Sequence, residues 1–458
     1  MKDRFGIDWS KVPGGTRFWR RPHNAGRRMF FRHAASAIGG YFLLPSLRPG
    51  ETVARAAVTT KGTAKNCIFI LMSGGPSHVD TFDLKEGAWT PAGFNPTSFG
   101  DIRWPVGLMP KLADQLGNVA LVRSVRSWAL VHVLARTWVM IGRNPAQGTA
   151  RFAPHIGSVI SQEFAGQNPS ATLPAFVSMN VTNGPGAGFL DSMHNPFYLS
   201  PGGGGMANTT HAPGSARFDK RAALLAELET EVKTGAPLGS AVDETYAYNA
   251  AARKLMYNST VSNIFTFDAA ERARYGTTGF GNACIAARRM LRANEGVRFI
   301  QITQGDWDQH ENIYAPNAGH WNVAKQFDNA VATLIADLKS DGLLDETLLV
   351  CMGEFGRTVG NLNNTAGRDH FLQQAVLLAG GGIKGGNVIG STDRTGATTG
   401  EPGWSRNRDI RAEDIEATIY SALGIDYTKR LEDPSGRGFD YVPFSDRDQY
   451  GPIQELWP

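Results

Sequence analysis

The sequence predicts an α/β protein in which a mostly parallel central sheet lies between two layers of helices. Residues 66–72 and 347–352 are continuous apolar runs that stop close to glycine, as expected of strands buried on both faces. Residues 320–339 repeat apolar side chains at intervals of three and four, the pattern of an amphipathic helix. Apolar strands that alternate with such helices are typical of a sheet covered on both faces.

The same signals recur along the chain and predict a single α/β domain over residues 58–458. Further strands are predicted at residues 119–125, 173–179, 297–303 and 374–378. Further helices are predicted at residues 283–293 and 409–423, each followed by glycine or asparagine signals that end helices.

A segment at about residues 185–250 interrupts this alternation. Residues 183–215 are rich in glycine, asparagine and proline and are expected to form a long loop, whereas residues 216–257 are expected to be largely helical. Loops of this length inside a domain are uncommon and are often functional. We therefore expect a loop-rich, helical insert and not a second domain.

The first 57 residues are predicted to be an export signal. Arg27 and Arg28 precede bulky apolar residues, an apolar run over residues 34–47 and a small-residue cleavage site at residues 54–56. This order is that of a signal peptide, and the arginine pair indicates the twin-arginine route. The alternative is an ordinary amphipathic helix. On the first interpretation the mature protein is periplasmic or extracellular.

Composition and charge exclude several classes of function. The net charge of +4 is concentrated near the N-terminus, so the rest of the chain gives no case for nucleic-acid binding. The sequence predicts no integral membrane segment in the mature chain, because its apolar runs are short and interrupted. Cys67, Cys284 and Cys351 have the spacing of neither a disulfide framework nor a zinc ribbon and are expected to be buried.

Three polar clusters follow predicted strands. They are residues 73–83, residues 305–312, and a third cluster that contains Glu354, Asp369 and His370. Because chemistry gathers at the carboxyl ends of strands in α/β sheets, all three are expected at one edge. Asp, Glu and His together suit divalent ions such as Zn, Mn, Mg or Ca. The sequence therefore predicts a metal site assembled from distant loops.

These clusters also have a structural explanation. Acids at strand ends often cap the next helix by accepting hydrogen bonds from its free N–H groups, which would account for Asp80, Asp83 and Asp306. Ser77 is placed to do the same. Both interpretations stay open at this point.

Arg357 and Arg368 stand beside the acids of the third cluster. A guanidinium fork suits the oxygens of phosphate or sulfate, so both are candidates for contact with an anionic substrate. The alternative is that they form structural ion pairs with Glu354 or Asp369.

Several motifs together give the sequence a family resemblance. They are SGGPSHVDTFD at residues 73–83, then WDQH, GEFGRT, GRDHF and AGGGIKGGNVIGSTD. In this order, over about residues 62–430, they resemble the bacterial domain of unknown function 1501 family. That family is similar to the alkaline phosphatase and sulfatase superfamily. The resemblance thus implies an alkaline phosphatase-like sheet with divalent metal ions at its carboxyl edge.

The resemblance also implies roles for particular residues. The implied metal ligands are Asp80, Asp308, His310, Glu354, Asp369 and His370. The candidate catalytic groups, which follow from their chemistry and not from the resemblance, are Ser77, Arg357 and Arg368. His132 matches a family position only loosely and is not counted among the ligands.

The chain departs from the superfamily pattern in two respects. Superfamily hydrolases normally place a metal-bound Asp directly after the first strand, where this chain has Ser73 and Gly74. They also use a Ser, Thr or modified Cys nucleophile, and the Cys-x-Pro-x-Arg signature is absent here. Ser73, Ser77 and Thr81 are possible nucleophiles, and nothing in the sequence singles one out.

Two hypotheses of function follow. The first is an exported, metal-dependent hydrolase of phosphate or sulfate esters, whose substrate is a small or polymeric anionic ester. The second is a catalytically degenerate, exported binding or accessory protein of the same fold that works with an exported protein partner. Convergence of the predicted ligands on one point would favour metal binding.

Overall fold

A sheet of eight strands forms the centre of the part of the chain that the structure describes. The structure, a computed structural model, describes residues 58–146, 152–168, 170–235, 240–316 and 319–458. The predicted export signal at residues 1–57 lies outside these residues. The strands are β1 (Asn66–Met72), β2 (Pro96–Phe99), β3 (Ile102–Pro105), β4 (Val119–Arg126), β5 (Phe176–Met179), β6 (Phe197–Leu199), β7 (Phe299–Gln304), β8 (Thr347–Met352), β9 (Gly356–Arg357), β10 (His370–Phe371), β11 (Gln373–Ala379), β12 (Asn387–Ile389), β13 (Ser391–Thr392), β14 (Thr399–Glu401), β15 (Arg430–Glu432) and β16 (Gly438–Asp440).

The sheet has the order β12–β4–β11–β8–β1–β7–β5–β6. Neighbouring strands are parallel except at β11, which is antiparallel to both β4 and β8. The parallel strands β1, β4, β7 and β8 therefore end at one edge of the sheet. Because β11 runs the opposite way, it begins at that same edge.

Helices cover both faces of the sheet. They are α1 (Pro110–Ala113), α2 (His132–Ile141), α3 (Ile156–Glu163), α4 (Ser215–Gly235), α5 (Ser240–Leu255), α6 (Ser259–Phe265), α7 (Ala269–Tyr275), α8 (Gly279–Ala293), α9 (Gly319–Ser340) and α10 (Ala412–Ala422). Among the described residues, none of these helices is both long and apolar enough to cross a membrane.

The central strand β1 shows why the two faces are both covered. All seven of its residues are buried. Successive side chains of a strand point to opposite faces. Ile68 and Ile70 accordingly pack in one core with α8 and α9, whereas Phe69 and Leu71 pack in a second core with α3 and α10. The predicted fold class, a mostly parallel sheet between two helix layers, is confirmed.

The structure corrects some predicted boundaries. The strand predicted at residues 173–179 begins only at Phe176, since Pro174 has no N–H to donate to a neighbouring strand. The region predicted to be a loop, residues 183–215, contains the short strand β6, which pairs with β5 at the edge of the sheet. The three cysteines are free and buried, as predicted.

Candidate metal centre

Polar side chains from five segments meet at the carboxyl edge of the sheet. The loops after β1, β7 and β8 lie there, together with the start of α2 after β4 and the residues that lead into β11. The topology brings these segments together because the parallel strands β1, β4, β7 and β8 end at the edge where the antiparallel strand β11 begins. This edge is the usual place for a site in an open α/β sheet.

Four side chains converge on one point at this edge. They are His132, Asp308, His310 and His370, and one potential ligand atom from each lies within 4.8 Å of all the others. Asp308 Oδ1 is 2.9 Å from His310 Nε2, and Asp308 Oδ2 is 3.2 Å from His132 Nε2. The Nε2 atoms of His310 and His370 are 3.0 Å apart. We call these four residues the His–Asp group.

These separations match those of ligands around a single ion. Atoms bound to Zn²⁺ at about 2.0–2.1 Å in tetrahedral geometry lie about 3.3 Å from each other. The Nε2 atom of His132 is buried, and although Asp308 Oδ2 lies 3.2 Å away, the described residues offer it no well-aligned hydrogen bond, which leaves its lone pair or proton unsatisfied. The residues present therefore fit a divalent ion.

Each imidazole of the His–Asp group is held from behind by an acceptor at its Nδ1 atom. The acceptors are Glu354 Oε1 for His132 (2.8 Å), Asp369 Oδ1 for His310 (3.0 Å) and the Leu130 carbonyl oxygen for His370 (2.8 Å). When Nδ1 carries the proton and donates it in this hydrogen bond, the neutral ring has its lone pair on Nε2. That lone pair then points to the centre of the His–Asp group. This support from behind is the usual arrangement around metal-binding histidines.

Glu354 ties this support to the loop after β1. It is buried, and its Oε1 atom also accepts a hydrogen bond from the Gly74 amide at 2.9 Å. Gly74 has a φ of 112°, and a Cβ atom there would lie 2.5 Å from the Asp308 backbone nitrogen. Only glycine fits such a close approach without displacement. The loop after β1 thus sets the positions of both Asp308 and Glu354.

Arg357 is the cation next to the His–Asp group. It is fully buried. Its Nη2 atom donates to Asp308 and to the Gly74 carbonyl, and its Nη1 atom lies 3.2 Å from His310 Nε2. Nε and Nη1 donate to the carbonyl oxygens of Gly75 and Arg368. The guanidinium is therefore engaged on all sides by protein atoms.

The charges around the group shift the pKa values of its members. Burial opposes ionisation of Asp308, but the hydrogen bond and charge of Arg357 outweigh it and lower the pKa of Asp308. The hydrogen bond that His132 donates to Glu354 raises the pKa of His132 against the effect of burial. Burial lowers the pKa of His370. The hydrogen bond that Asp369 accepts from His310 lowers the pKa of Asp369.

Asp80 and Arg368 form a separate buried pair. Arg368 Nε donates to Asp80 Oδ2 at 2.9 Å, and both side chains are almost completely inaccessible. The Ser77 hydroxyl donates to the same oxygen at 2.6 Å, and Tyr314 donates to Asp80 Oδ1 at 2.7 Å. Burial opposes ionisation of Asp80, but the charge of Arg368 outweighs it and lowers the pKa of the carboxyl.

The six residues that the sequence suggested as ligands thus occupy three positions. Asp308, His310 and His370 belong to the His–Asp group. Glu354 and Asp369 lie behind its histidines. Asp80 lies in the buried pair with Arg368, together with Ser77, one of the possible nucleophiles.

His132 is the member of the group that the sequence did not single out. It stands at the first position of α2, whose end is fixed by Gly142 in the left-handed conformation. The available signal was a histidine shortly after the strand at residues 119–125. A strand end at the same edge as the other clusters would have placed it near them.

The fold and this site define an α/β protein with a candidate metal centre at the carboxyl edge of a mostly parallel sheet. The family model described as "Protein of unknown function (DUF1501)" matches residues 64–448, and the chain belongs to that family. The family resemblance of the sequence motifs is therefore confirmed. A comparison with curated proteins gave no match.

Solved structures give loose similarities. One is Ps i-CgsB in complex with k-i-k-neocarrahexaose, at 14% identity and a TM-score of 0.40, covering 84% of this chain and 77% of that chain. Another is the PsFucS1 sulfatase from Pseudoalteromonas sp., at 12% identity and a TM-score of 0.38, and the match covers 80% of this chain and 68% of that chain. A third is a protein in the alkaline phosphatase superfamily from Vibrio parahaemolyticus, at 11% identity and a TM-score of 0.35, and the match covers 83% of this chain and 74% of that chain. The likeness at these scores is too loose to carry an argument about activity.

Proposed function

We propose that this protein is an exported, divalent-metal-dependent hydrolase of phosphate or sulfate esters. The observation that carries the proposal is the His–Asp group itself. Three imidazoles and one carboxylate point to a common centre, and each imidazole is oriented by an acceptor on its far side. Such support is what a metal-binding or catalytic constellation needs to hold its geometry.

The donor set narrows the choice of ion. Imidazole nitrogen suits Zn²⁺ and similar borderline ions, whereas Mg²⁺ and Ca²⁺ prefer oxygen ligands. With three imidazoles and one carboxylate, Zn²⁺ is favoured over Mg²⁺ or Ca²⁺. When bound, such an ion supplies Lewis-acid polarisation of an ester oxygen and neutralises charge that develops on it.

The protein's own residues would keep the site ready for a substrate. Asp308 stays ionised, since Arg357 lowers its pKa. The side chains of Asp308 and His310 are 45% and 43% exposed, so the group is open to solvent on one side. A substrate oxygen and a water molecule can reach that side. Ser77 is buried and donates to Asp80, so the proposal takes water as the nucleophile.

A second candidate function is a catalytically degenerate binding or accessory protein. One observation favours it. The Arg357 guanidinium already contacts both Asp308 and His310, so a resident cation balances part of the charge that an ion would otherwise balance. An exported protein partner would then explain why the fold is kept.

A turnover assay on metal-loaded protein separates the two functions. The purified chain is loaded with Zn²⁺ or Mn²⁺ and given aryl phosphate and aryl sulfate esters. The matched variants are His310→Ala and His211→Ala, because His211 lies outside the His–Asp group. Hydrolysis by the wild type and by His211→Ala, but not by His310→Ala, supports the hydrolase. Bound metal without turnover supports the accessory function, and no bound metal contradicts the metal-dependent proposal.

Export is part of the proposal and rests on the arginine pair of the leader. Substitution of Arg27 and Arg28 by lysine would be expected to retain the protein inside the cell, since the twin-arginine route reads the pair. Fractionation of cells that produce both forms would test this. Equal export of the two forms would contradict the twin-arginine part of the proposal.

A further inference from the structure

A cavity of about 380 Å³ lies between α2, the strands β1 and β7, and the loop after β5. Its wall combines apolar side chains, including Leu71 and Met140, with the polar side chains of Thr137, Asn183 and Thr303. None of these residues has a role in the His–Asp group described above. Its volume lies in the lower part of the range of common ligand pockets, about 300–1,000 Å³, so the cavity can receive the organic part of a small ligand.

Arg136 is the charged residue in this wall. The lining residues that the structure describes include no acid and no other base. The guanidinium is half-buried, and its one hydrogen bond to a described residue runs from Nη1 to Ser73 Oγ at 3.3 Å. No carboxylate among the described residues lies within ion-pair distance of it. Its remaining N–H groups are therefore free to bind anionic oxygens, which the planar fork suits well.

Arg136 contrasts with the two arginines that the sequence suggested as anion ligands. Arg357 and Arg368 are fully buried, and their N–H groups donate to carbonyl oxygens, Asp308, Asp80 and Tyr314. A ligand would have to replace those contacts. An anion that binds Arg136 would not have to displace such contacts.

The cavity and the His–Asp group share two elements of structure. His132 and Arg136 are four residues apart on α2, so they lie on the same side of that helix. Ser73, which accepts from Arg136, directly precedes Gly74. The Gly74 amide donates to Glu354, and a Cβ atom at Gly74 would meet the Asp308 backbone. The cavity and the candidate metal centre are thus linked by α2 and, through Arg136, by the loop after β1.

We propose that Arg136 binds the anionic group of the substrate and that this cavity receives its organic part. The inference rests on the proposed function, since it takes the substrate to be a phosphate or sulfate ester. It assigns selectivity for anionic substrates to Arg136 and not to Arg357 or Arg368. Arg136 is then a specificity-determining residue at the site.

Binding of inorganic phosphate and inorganic sulfate tests this assignment. Calorimetric titrations would compare wild type, Arg136→Gln and Arg136→Lys, each with chelator and again with Zn²⁺. Arg292→Gln is the matched control, because Arg292 is 56% exposed and lies in the last turn of α8, at the opposite edge of the sheet. Thermal midpoints and Zn²⁺ affinities would be measured on the same samples.

The expected result is saturable binding of at least one anion by wild type and by Arg292→Gln, with or without metal. Arg136→Gln should lose at least tenfold in anion affinity while Zn²⁺ affinity and thermal midpoint stay unchanged, and Arg136→Lys should recover part of the loss. Equal anion affinity in wild type and Arg136→Gln, or no saturable binding to wild type, would overturn the proposal. Anion binding under chelator also separates this outcome from a failure of the proposed metal chemistry.

Discussion

The Oε1 atom of Glu354 lies 2.8 Å from Nδ1 of His132, although the two residues are 222 positions apart in the chain. This contact joins the end of β8 to the start of α2 and turns Nε2 of His132 toward Asp308. The carboxylate is buried and shares the same oxygen with the Gly74 amide. It makes Glu354 a positioning residue for the candidate metal centre.

The first prediction concerns this support. Glu354→Ala should weaken Zn²⁺ binding about 10–100-fold, since acceptors behind metal-bound histidines contribute about that much. A competition titration with a chromophoric chelator would measure the affinity. Glu346→Ala is the control, because Glu346 pairs with Lys65 before β8 at the opposite edge of the sheet. Unchanged affinity in Glu354→Ala would contradict the supporting role.

The second prediction concerns the close approach of Gly74 to Asp308. Gly74→Ala places a Cβ atom 2.5 Å from the Asp308 backbone nitrogen, so the loop after β7 must move and metal affinity should fall at least tenfold. Gly100→Ala is a matched control. Gly100 also has positive φ, at 59°, but a Cβ atom there meets no neighbour within 4 Å. Gly100→Ala should cost about 1 kcal/mol of stability from backbone strain and leave metal affinity unchanged. Equal metal affinities of Gly74→Ala and wild type would show that this contact does not position Asp308.

The third prediction separates Asp80 from the metal centre. Asp80→Asn leaves the buried Arg368 charge without its carboxylate, which should destabilise the protein by about 3–5 kcal/mol. Metal affinity of the folded variant should not change. Urea unfolding and metal titration would be run together. Glu86→Gln, which breaks an exposed pair with Arg103, should cost about 0–1 kcal/mol. A loss of metal affinity in folded Asp80→Asn would return Asp80 to the ligand set.

The fourth prediction is a pH dependence of stability that arises from Glu416 on α10. Burial raises the pKa of this carboxyl from 4.5 to about 8, against the charge of Arg143. Because the folded pKa exceeds the unfolded one, the folded state binds the proton more tightly. The stability that the protonated Glu416 carboxyl contributes is therefore full below about pH 4.5 and is lost as pH rises toward 8. The unfolding free energy falls by at most about 1.4 kcal/mol per pH unit in this range.

Glu416→Gln should therefore flatten the fall in unfolding free energy between pH 5 and pH 8, as measured by urea denaturation across that range. Glu401→Gln, at an exposed position of β14, should leave the slope as in the wild type. A wild-type slope retained in Glu416→Gln would show that this carboxyl is not the origin of the pH dependence.

The sequence was most informative where a segment is buried on both faces. The runs at residues 66–72 and 347–352 coincide with β1 and β8, since a strand in the middle of a parallel sheet must be apolar throughout. The strand β6 was missed because three residues at the edge of a sheet leave almost no periodic signal.

The site was less predictable than the fold because it depends on the directions of side chains. The sequence placed Asp308, Glu354 and His370 near one edge, and the structure does bring them together. It could not tell that Glu354 faces a histidine while Asp308 faces the common centre. Nor could it distinguish Asp80, which a buried arginine holds elsewhere. Those differences arise from contacts between residues that are far apart in the chain.

Metal stoichiometry shows whether His132, Asp308, His310 and His370 hold one divalent ion. Elemental analysis would be made after Zn²⁺ loading and exhaustive dialysis of wild type and His132→Ala. We expect about one Zn²⁺ per wild-type chain and a strongly reduced content in His132→Ala, because a four-ligand site loses one of its ligands. No bound metal in the wild type, or equal content in the two proteins, would contradict this expectation.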